Sequence, residues 1–128
     1  MSESTEFSLS KVGQISVMVK DLDRATAFYR DQLGLKHLLK APSLSVFDCG
    51  GINLLLALPE NAATNHPSSI IYFDVDDIQK ATKALSDRGV SFEEKPNKVG
   101  KLGEIDVWIA IFRDSEGNLM GLRSMVRQ

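Results

Sequence analysis

Six residues of this chain recur in kind and order 56 positions further on, and no other feature narrows its possible folds so much. Ile15, Val17, Val19, Asp21, Leu22 and Ala25 fall on Ile71, Phe73, Val75, Asp77, Ile78 and Ala81, and Gly34 then meets Gly89 with one residue deleted. Chance produces short overlays. It does not readily repeat strand alternation, helix cap, helix stripe and terminating glycine in sequence, so one unit is used twice. At 128 residues the two copies together make one domain, large enough to bury a core without disulfide or structural metal.

Each copy reads alike. Val12 to Val19 alternates, with Ile15, Val17 and Val19 on one face and Gln14, Ser16 and Met18 on the other, as in a half-buried strand. Asp21 caps a helix whose apolar residues Leu22, Ala25, Phe28 and Tyr29 recur at helical spacing, and Gly34 closes it. Three strands follow near 35–41, 43–49 and 52–58; Pro42 separates the first two and Gly50-Gly51 makes a tight hairpin between the others. In the second copy the strand is Ser69 to Val75, Asp76 or Asp77 caps the helix of Ile78, Ala81 and Leu85, and Gly89 ends it. Further strands are expected near 90–95, 104–113 and 119–126, the last two joined by the turn sequence Asp114-Ser115-Glu116-Gly117-Asn118. Pro59 to Pro67 is polar and proline-bracketed, a linker. The expected organisation is a flexible N-terminal tail at 1–10 and a single α+β domain at 11–126. Within it, module one spans 11–58, the linker 59–67 and module two 68–126.

Composition removes several function classes. With 43% hydrophobic and 25% charged residues the chain is not disordered. Its net charge is −2 and its fifteen basic residues are scattered, so no nucleic-acid partner is expected. No apolar run approaches the roughly 20 residues of a membrane span. The first ten residues are polar and lack the basic-then-apolar order of a signal peptide. A lone cysteine, Cys49, forms no internal disulfide, and the expected location is the cytoplasm. Cys49 reads as a small hydrophobe rather than a nucleophile. His37 and His66 stand in no metal-binding spacing.

The run Val19-Lys20-Asp21-Leu22-Asp23-Arg24-Ala25, then Phe28-Tyr29 and Leu33-Gly34-Leu35, resembles the vicinal oxygen chelate superfamily. That group includes glyoxalase I, extradiol dioxygenases, fosfomycin-resistance proteins and bleomycin-binding proteins. Phe73-Asp74-Val75-Asp76-Asp77-Ile78 and the closing Asp114 to Asn118 agree in the second copy, so the resemblance covers about residues 12 to 126. It implies two βαβββ modules forming a half-open, barrel-like cleft, and chains paired as a homodimer. In metal-using members it further implies four inward ligands for one divalent ion, a His or Gln on the first strand of each half and a Glu near the last. Carried over residue by residue, those places hold Gln14, Leu55, Ile70 and Gly121. Three of them have no donor atom, so neither a metal site nor a catalytic residue is expected, and no cofactor.

What remains is a cleft for a small-molecule ligand. Alternation lines it with Gln14, Ser16 and Met18, with Asn53, Leu55 and Ala57, with Ile70, Tyr72 and Asp74, and with Leu119, Gly121 and Arg123. Candidate ligand-binding residues are Gln14, Ser16, Asn53, Leu55, Ile70, Tyr72, Trp108, Gly121 and Arg123. Tyr72 and Trp108 suit stacking, Gln14 and Asn53 suit orientation, and Arg123 suits a carboxylate or phosphate. Trp108 lies on a strand apolar on both faces, so period alone does not orient it; the cleft mouth or a subunit contact is expected. Each has an ordinary counterpart role: a buried amide for Gln14, core aromatics for Tyr72 and Trp108, an internal ion pair for Arg123 with Asp74. Asp74 and Glu104 are lone carboxylates, poor candidates for a general base. The favoured reading is a glyoxalase-like protein binding a small organic molecule in an apolar cleft without metal. One alternative is a divalent-metal-dependent lyase, isomerase or dioxygenase using non-standard ligands. Another is a structural or regulatory homodimer with a filled cleft.

Overall fold

Asp21 and Asp77 start the two helices in the same way. Each has extended backbone (φ −124° and −125°), and its carboxylate accepts backbone N–H groups of the first turn: Arg24 for Asp21, Gln79 and Lys80 for Asp77. Asp77, not Asp76, is therefore the second cap. The computed structural model describes residues 7–128. Helix α1 (Leu22–Ala27) continues into a wider, π-helical turn at Phe28–Gln32, where the Leu33 N–H reaches back five residues to the Phe28 carbonyl. The wide turn takes up the residue by which module one exceeds module two. Helix α2 (Ile78–Asp87) is plain α-helix. Gly34 and Gly89 follow at φ 78° and 89°, a conformation that side-chain-bearing residues resist.

Module one contributes β1 (Gln14–Met18), β2 (Lys36–Ala41), β3 (Leu44–Cys49) and β4 (Ile52–Ala57), in sheet order β1-β4-β3-β2. Module two contributes β5 (Ile71–Asp74), β6 (Phe92–Leu102), β7 (Ile105–Arg113) and β8 (Leu119–Arg127), in order β5-β8-β7-β6. In each sheet the outermost pair, β1 with β4 and β5 with β8, is parallel, and the rest are antiparallel. The same unit is thus built twice. Strand β6 runs well past the expected 90–95. Its pairing with β7 shifts register three times; one irregularity admits Pro96, which argues against strand in the bare sequence, while Gly100 stays paired with Val107.

Both sheets bury the face that carries their helix. Val17, Phe47, Leu54 and Leu56 in module one, and Ala110, Phe112, Met120 and Leu122 in module two, join one continuous core with Leu22, Phe28, Ile78 and Leu85. The modules are tied together by polar groups. The Tyr29 hydroxyl donates to Asp114 at 2.6 Å. Glu116 accepts the backbone N–H groups of Lys20 and Asp21 at 2.9 and 2.8 Å, and its carboxylate pairs with Arg24 at 2.7 Å. The Asn118 amide donates to the Met18 carbonyl, and Gln32 and Arg88 each donate to the other's carbonyl. All of these lie at one end of β1 or along the helix side, so β1 and β5 keep outer edges without a strand partner.

The linker 59–67 holds neither helix nor strand, only a turn in which the Asn61 carbonyl accepts from Thr64 and Asn65. Of the expected tail, residues 1–6 lie outside the described residues, and 7–10 form no regular element. Among the described residues no helix is long and apolar enough to cross a membrane.

Candidate functional site

The faces of the two sheets turned away from the helices carry most of the candidate residues. On sheet one, pairing sets Gln14 opposite Asn53, Ser16 opposite Leu55 and Met18 opposite Ala57. Val46 stands opposite Leu55, and Leu39 opposite Val46. The result is an apolar band of Leu39, Val46 and Leu55, flanked by the Gln14 and Asn53 amides. Gln14, Ser16 and Asn53 are exposed and Leu55 is half-buried, so Gln14 is not the buried amide of the ordinary reading.

On sheet two, Tyr72 lies opposite Gly121 and Asp74 opposite Arg123. Ile111 and Ile109 sit beyond them on β7, opposite Gly121 and Arg123. The Tyr72 ring is laid across Gly121 so closely that any β-carbon there would collide with it, and the residue is still 43% exposed. Glycine at 121 is what lets the ring lie down and present its outer surface. Ile70 precedes β5 in step with Tyr72 and is exposed. Arg123 donates to both oxygens of Asp74, at 2.7 and 3.0 Å. These charged hydrogen bonds hold the Asp74 carboxyl below its ordinary range, against a small opposing effect of burial. An incoming anion therefore has to compete for Arg123.

Trp108 does not join this group. Alternation along β7 puts it in step with Ala110 and Phe112, both fully buried, and it packs at the edge of the core beside Asp76, Ile78 and Ser124. Eight of the nine candidates thus divide between two faces, Gln14, Ser16, Asn53 and Leu55 on one, Ile70, Tyr72, Gly121 and Arg123 on the other. Four of the best-formed cavities among the described residues are each lined without joining the two faces. The sequence reading missed Leu39, Val46, Ile109 and Ile111, although period-two spacing through Leu44, Val46 and Asp48 marks Val46 as a partner of Leu55.

The four positions that the family resemblance implies for a divalent ion do not suit one here. Gln14 brings one neutral amide, Leu55 and Ile70 bring hydrocarbon, and Gly121 lies beneath the Tyr72 ring. A divalent ion takes several oxygen or nitrogen donors at once. Among the described residues no three His, Cys, Asp or Glu converge. His37 is engaged within module one: its Nε2 lies 2.8 Å from the Ser45 hydroxyl and 3.0 Å from the Leu39 carbonyl, with its ring 4.8 Å from that of Phe47. His66 Nδ1 donates to the Pro67 carbonyl. Glu104 pairs with Arg127, so neither it nor Asp74 stands free as a base. Burial first, and then the charge of Asp48, push the Cys49 thiol up, away from a reactive thiolate.

Comparison with known proteins places this architecture. Residues 11–122 match the model of the glyoxalase/bleomycin resistance protein/dioxygenase superfamily. The chain is 32% identical over 126 residues to YurT, an uncharacterised protein of Bacillus subtilis (strain 168), covering 86% of this chain and 95% of that one. It is 28% identical to a second uncharacterised protein of that organism, YraH, over 91% of this chain and 99% of that one. Among solved structures, lactoylglutathione lyase from Agrobacterium tumefaciens superposes with a TM-score of 0.73 at 25% identity, covering 91% of this chain and 94% of the enzyme. The chain belongs to the glyoxalase/bleomycin resistance protein/dioxygenase superfamily. Its two four-stranded sheets do not close into a barrel.

Proposed function

We propose that this protein is a cytoplasmic, glyoxalase-like binding protein that takes a small, partly planar organic molecule between its open sheet faces, without a metal at the four inherited places. The observation that carries this reading is the Tyr72 ring laid over Gly121, a flat aromatic surface beside Ile109 and Ile111. Such a surface suits a planar ligand, while Gln14 and Asn53 on the other face offer donors and acceptors to fix its orientation.

The two faces act together when a second copy is present. In a homodimer, sheet one of one chain faces sheet two of the other, which covers the free edges of β1 and β5 and the exposed Leu39, Ile70 and Tyr72. Arg123 then serves as a gate on charge: a ligand carboxylate enters by exchanging with Asp74, and a neutral ligand leaves the pair intact.

A thermal-shift panel of planar carboxylates and neutral bicyclic aromatics tests this, with chain mass followed by light scattering. A ligand that raises the melting temperature of the wild type, and does so far less for Tyr72→Ala, supports the reading. A panel without effect on the wild-type dimer, or a chain that stays monomeric at all concentrations, argues against it.

A further inference from the structure

We propose a second ligand site on the opposite, helix-bearing side of module two, which takes a compact, neutral, ring-sized hydrocarbon group. The site is distinct from the open sheet faces and shares with them only Asp74, whose carboxylate pairs with Arg123. A cavity of about 350 Å³ lies between α2 and sheet two, closed at one side by Leu33 and Leu35 of module one. Ala81, Ala84, Phe73 and Phe112 complete its principal walls. Its size falls at the lower end of ordinary small-molecule pockets, and its lining is almost wholly apolar.

The duplication explains why the space exists. The residues of module one that correspond to Ala81, Ala84 and Leu85 are Ala25, Phe28 and Tyr29. In module one those side chains are buried, and the two rings lie edge to face at 5.6 Å. Val90, the counterpart of Leu35, is buried there too, whereas Leu35 is only half-buried. Module two keeps the same frame but replaces phenylalanine by alanine and tyrosine by leucine. What is missing is about one aromatic ring.

The chemistry of the walls selects the occupant. The one acidic residue at the rim, Asp74, has both carboxylate oxygens engaged by Arg123, so the pocket offers no free charge to a ligand. The pocket is open on one side, so its apolar walls face solvent until a guest covers them; covering that surface and gaining dispersion contacts both favour entry of a benzene-like group. A charged group would lose its hydration without a partner. The expected occupant is therefore an unsubstituted or alkyl-substituted ring, free or as the apolar end of a larger molecule.

Titration of the full chain with p-xylene, followed by methyl NMR, tests the assignment. Saturable shifts are expected at the methyls of Leu33, Leu35, Val75, Leu85 and Leu122, with benzoate binding at least about tenfold more weakly because its charge is buried unpaired. Ala84→Phe restores the residue of module one, fills the space and should abolish the shifts while keeping a folded spectrum; Ala81→Leu serves if that variant does not fold. Absence of saturable shifts up to the solubility limit, unchanged binding in the filled variant, or equal binding of benzoate would each overturn the proposal. Leu102→Ala, at the exposed end of β6, should leave p-xylene binding unchanged.

Discussion

Module one and module two share a topology and differ in what they do with it. Module one is closed: Phe28 and Tyr29 pack over its sheet, and its β3–β4 hairpin turns through Gly50-Gly51 with no side chain to offer. Module two is open beside its helix, and its β7–β8 turn carries Asp114, Glu116 and Asn118, all of which reach back to module one. One copy supplies the filled core, and the other supplies the tether and the unfilled spaces. Duplication thus fixes a frame, and residues that differ between the copies include those that join the modules and those that leave the space beside α2.

The sharpest way to break the comparison is to remove the tether. Asp114 is 6% exposed and accepts from the Tyr29 hydroxyl, from the backbone of Glu116 and Asn118, and from the Asn118 amide. Asp114→Ala leaves those donors without partners and should cost about 3–5 kcal/mol in urea unfolding at neutral pH. A cost under about 1 kcal/mol would mean that Asp114 adds little to what Glu116, Asn118 and the shared core already hold together. Burial and the neighbouring Asp114 carboxylate push the Tyr29 hydroxyl far above its ordinary range, so it stays a donor throughout.

Glu116 comes next. Burial alone would raise its carboxyl, but hydrogen bonds from Arg24, from the backbone of Asp21 and Lys20 and from the Ser115 hydroxyl outweigh that and lower it from 4.5 to about 2. The fold therefore favours the ionised form. Its contribution is complete above pH 4.5 and is lost as pH falls toward about 2. Glu116→Gln should cost about 2 kcal/mol at pH 7 and show a flatter stability profile across that window, the two proteins converging in acid. Parallel profiles would place the acid sensitivity elsewhere.

Gly121→Ala tests the open face of module two. The new methyl has to displace the Tyr72 ring, at a cost of about 1–2 kcal/mol, and aromatic ligands should bind more weakly. Unchanged ligand affinity would separate Tyr72 from the site. The smallest effect is expected for Arg123→Gln, which removes an exposed ion pair and should change stability by less than about 0.5 kcal/mol. NMR titration should then show the Asp74 carboxyl moving back up toward its ordinary range.

Local signals were the legible ones. Caps at Asp21 and Asp77, terminating glycines and period-two strands act within a few residues, and each lies where the sequence puts it. The apolar face of β4 was readable for the same reason: Leu54 and Leu56 are buried while Leu55 faces outward. Trp108 was not, because Val107, Ile109 and Ile111 are apolar too, and alternation says nothing where both faces exclude water. The reach of β6 was hidden by Pro96, which a bulge accommodates, and by Gly100, which pairs with Val107 all the same. Glu116 reads as a solvated turn residue until the fold brings Arg24 and the start of α1 against it. The opening beside α2 was written in the overlay of Phe28 on Ala84, yet a missing ring becomes a cavity only once Leu33 and Leu35 close over it.

Metal content tests most directly whether the open faces suit an organic ligand and not an ion. Protein purified without an affinity tag, incubated with Mn, Fe, Ni and Zn and then desalted, should carry only background metal by mass spectrometry, since Gln14, Leu55, Ile70 and Gly121 offer a single neutral donor. About one tightly held ion per chain would contradict the account and direct attention to unconventional donors around Gln14.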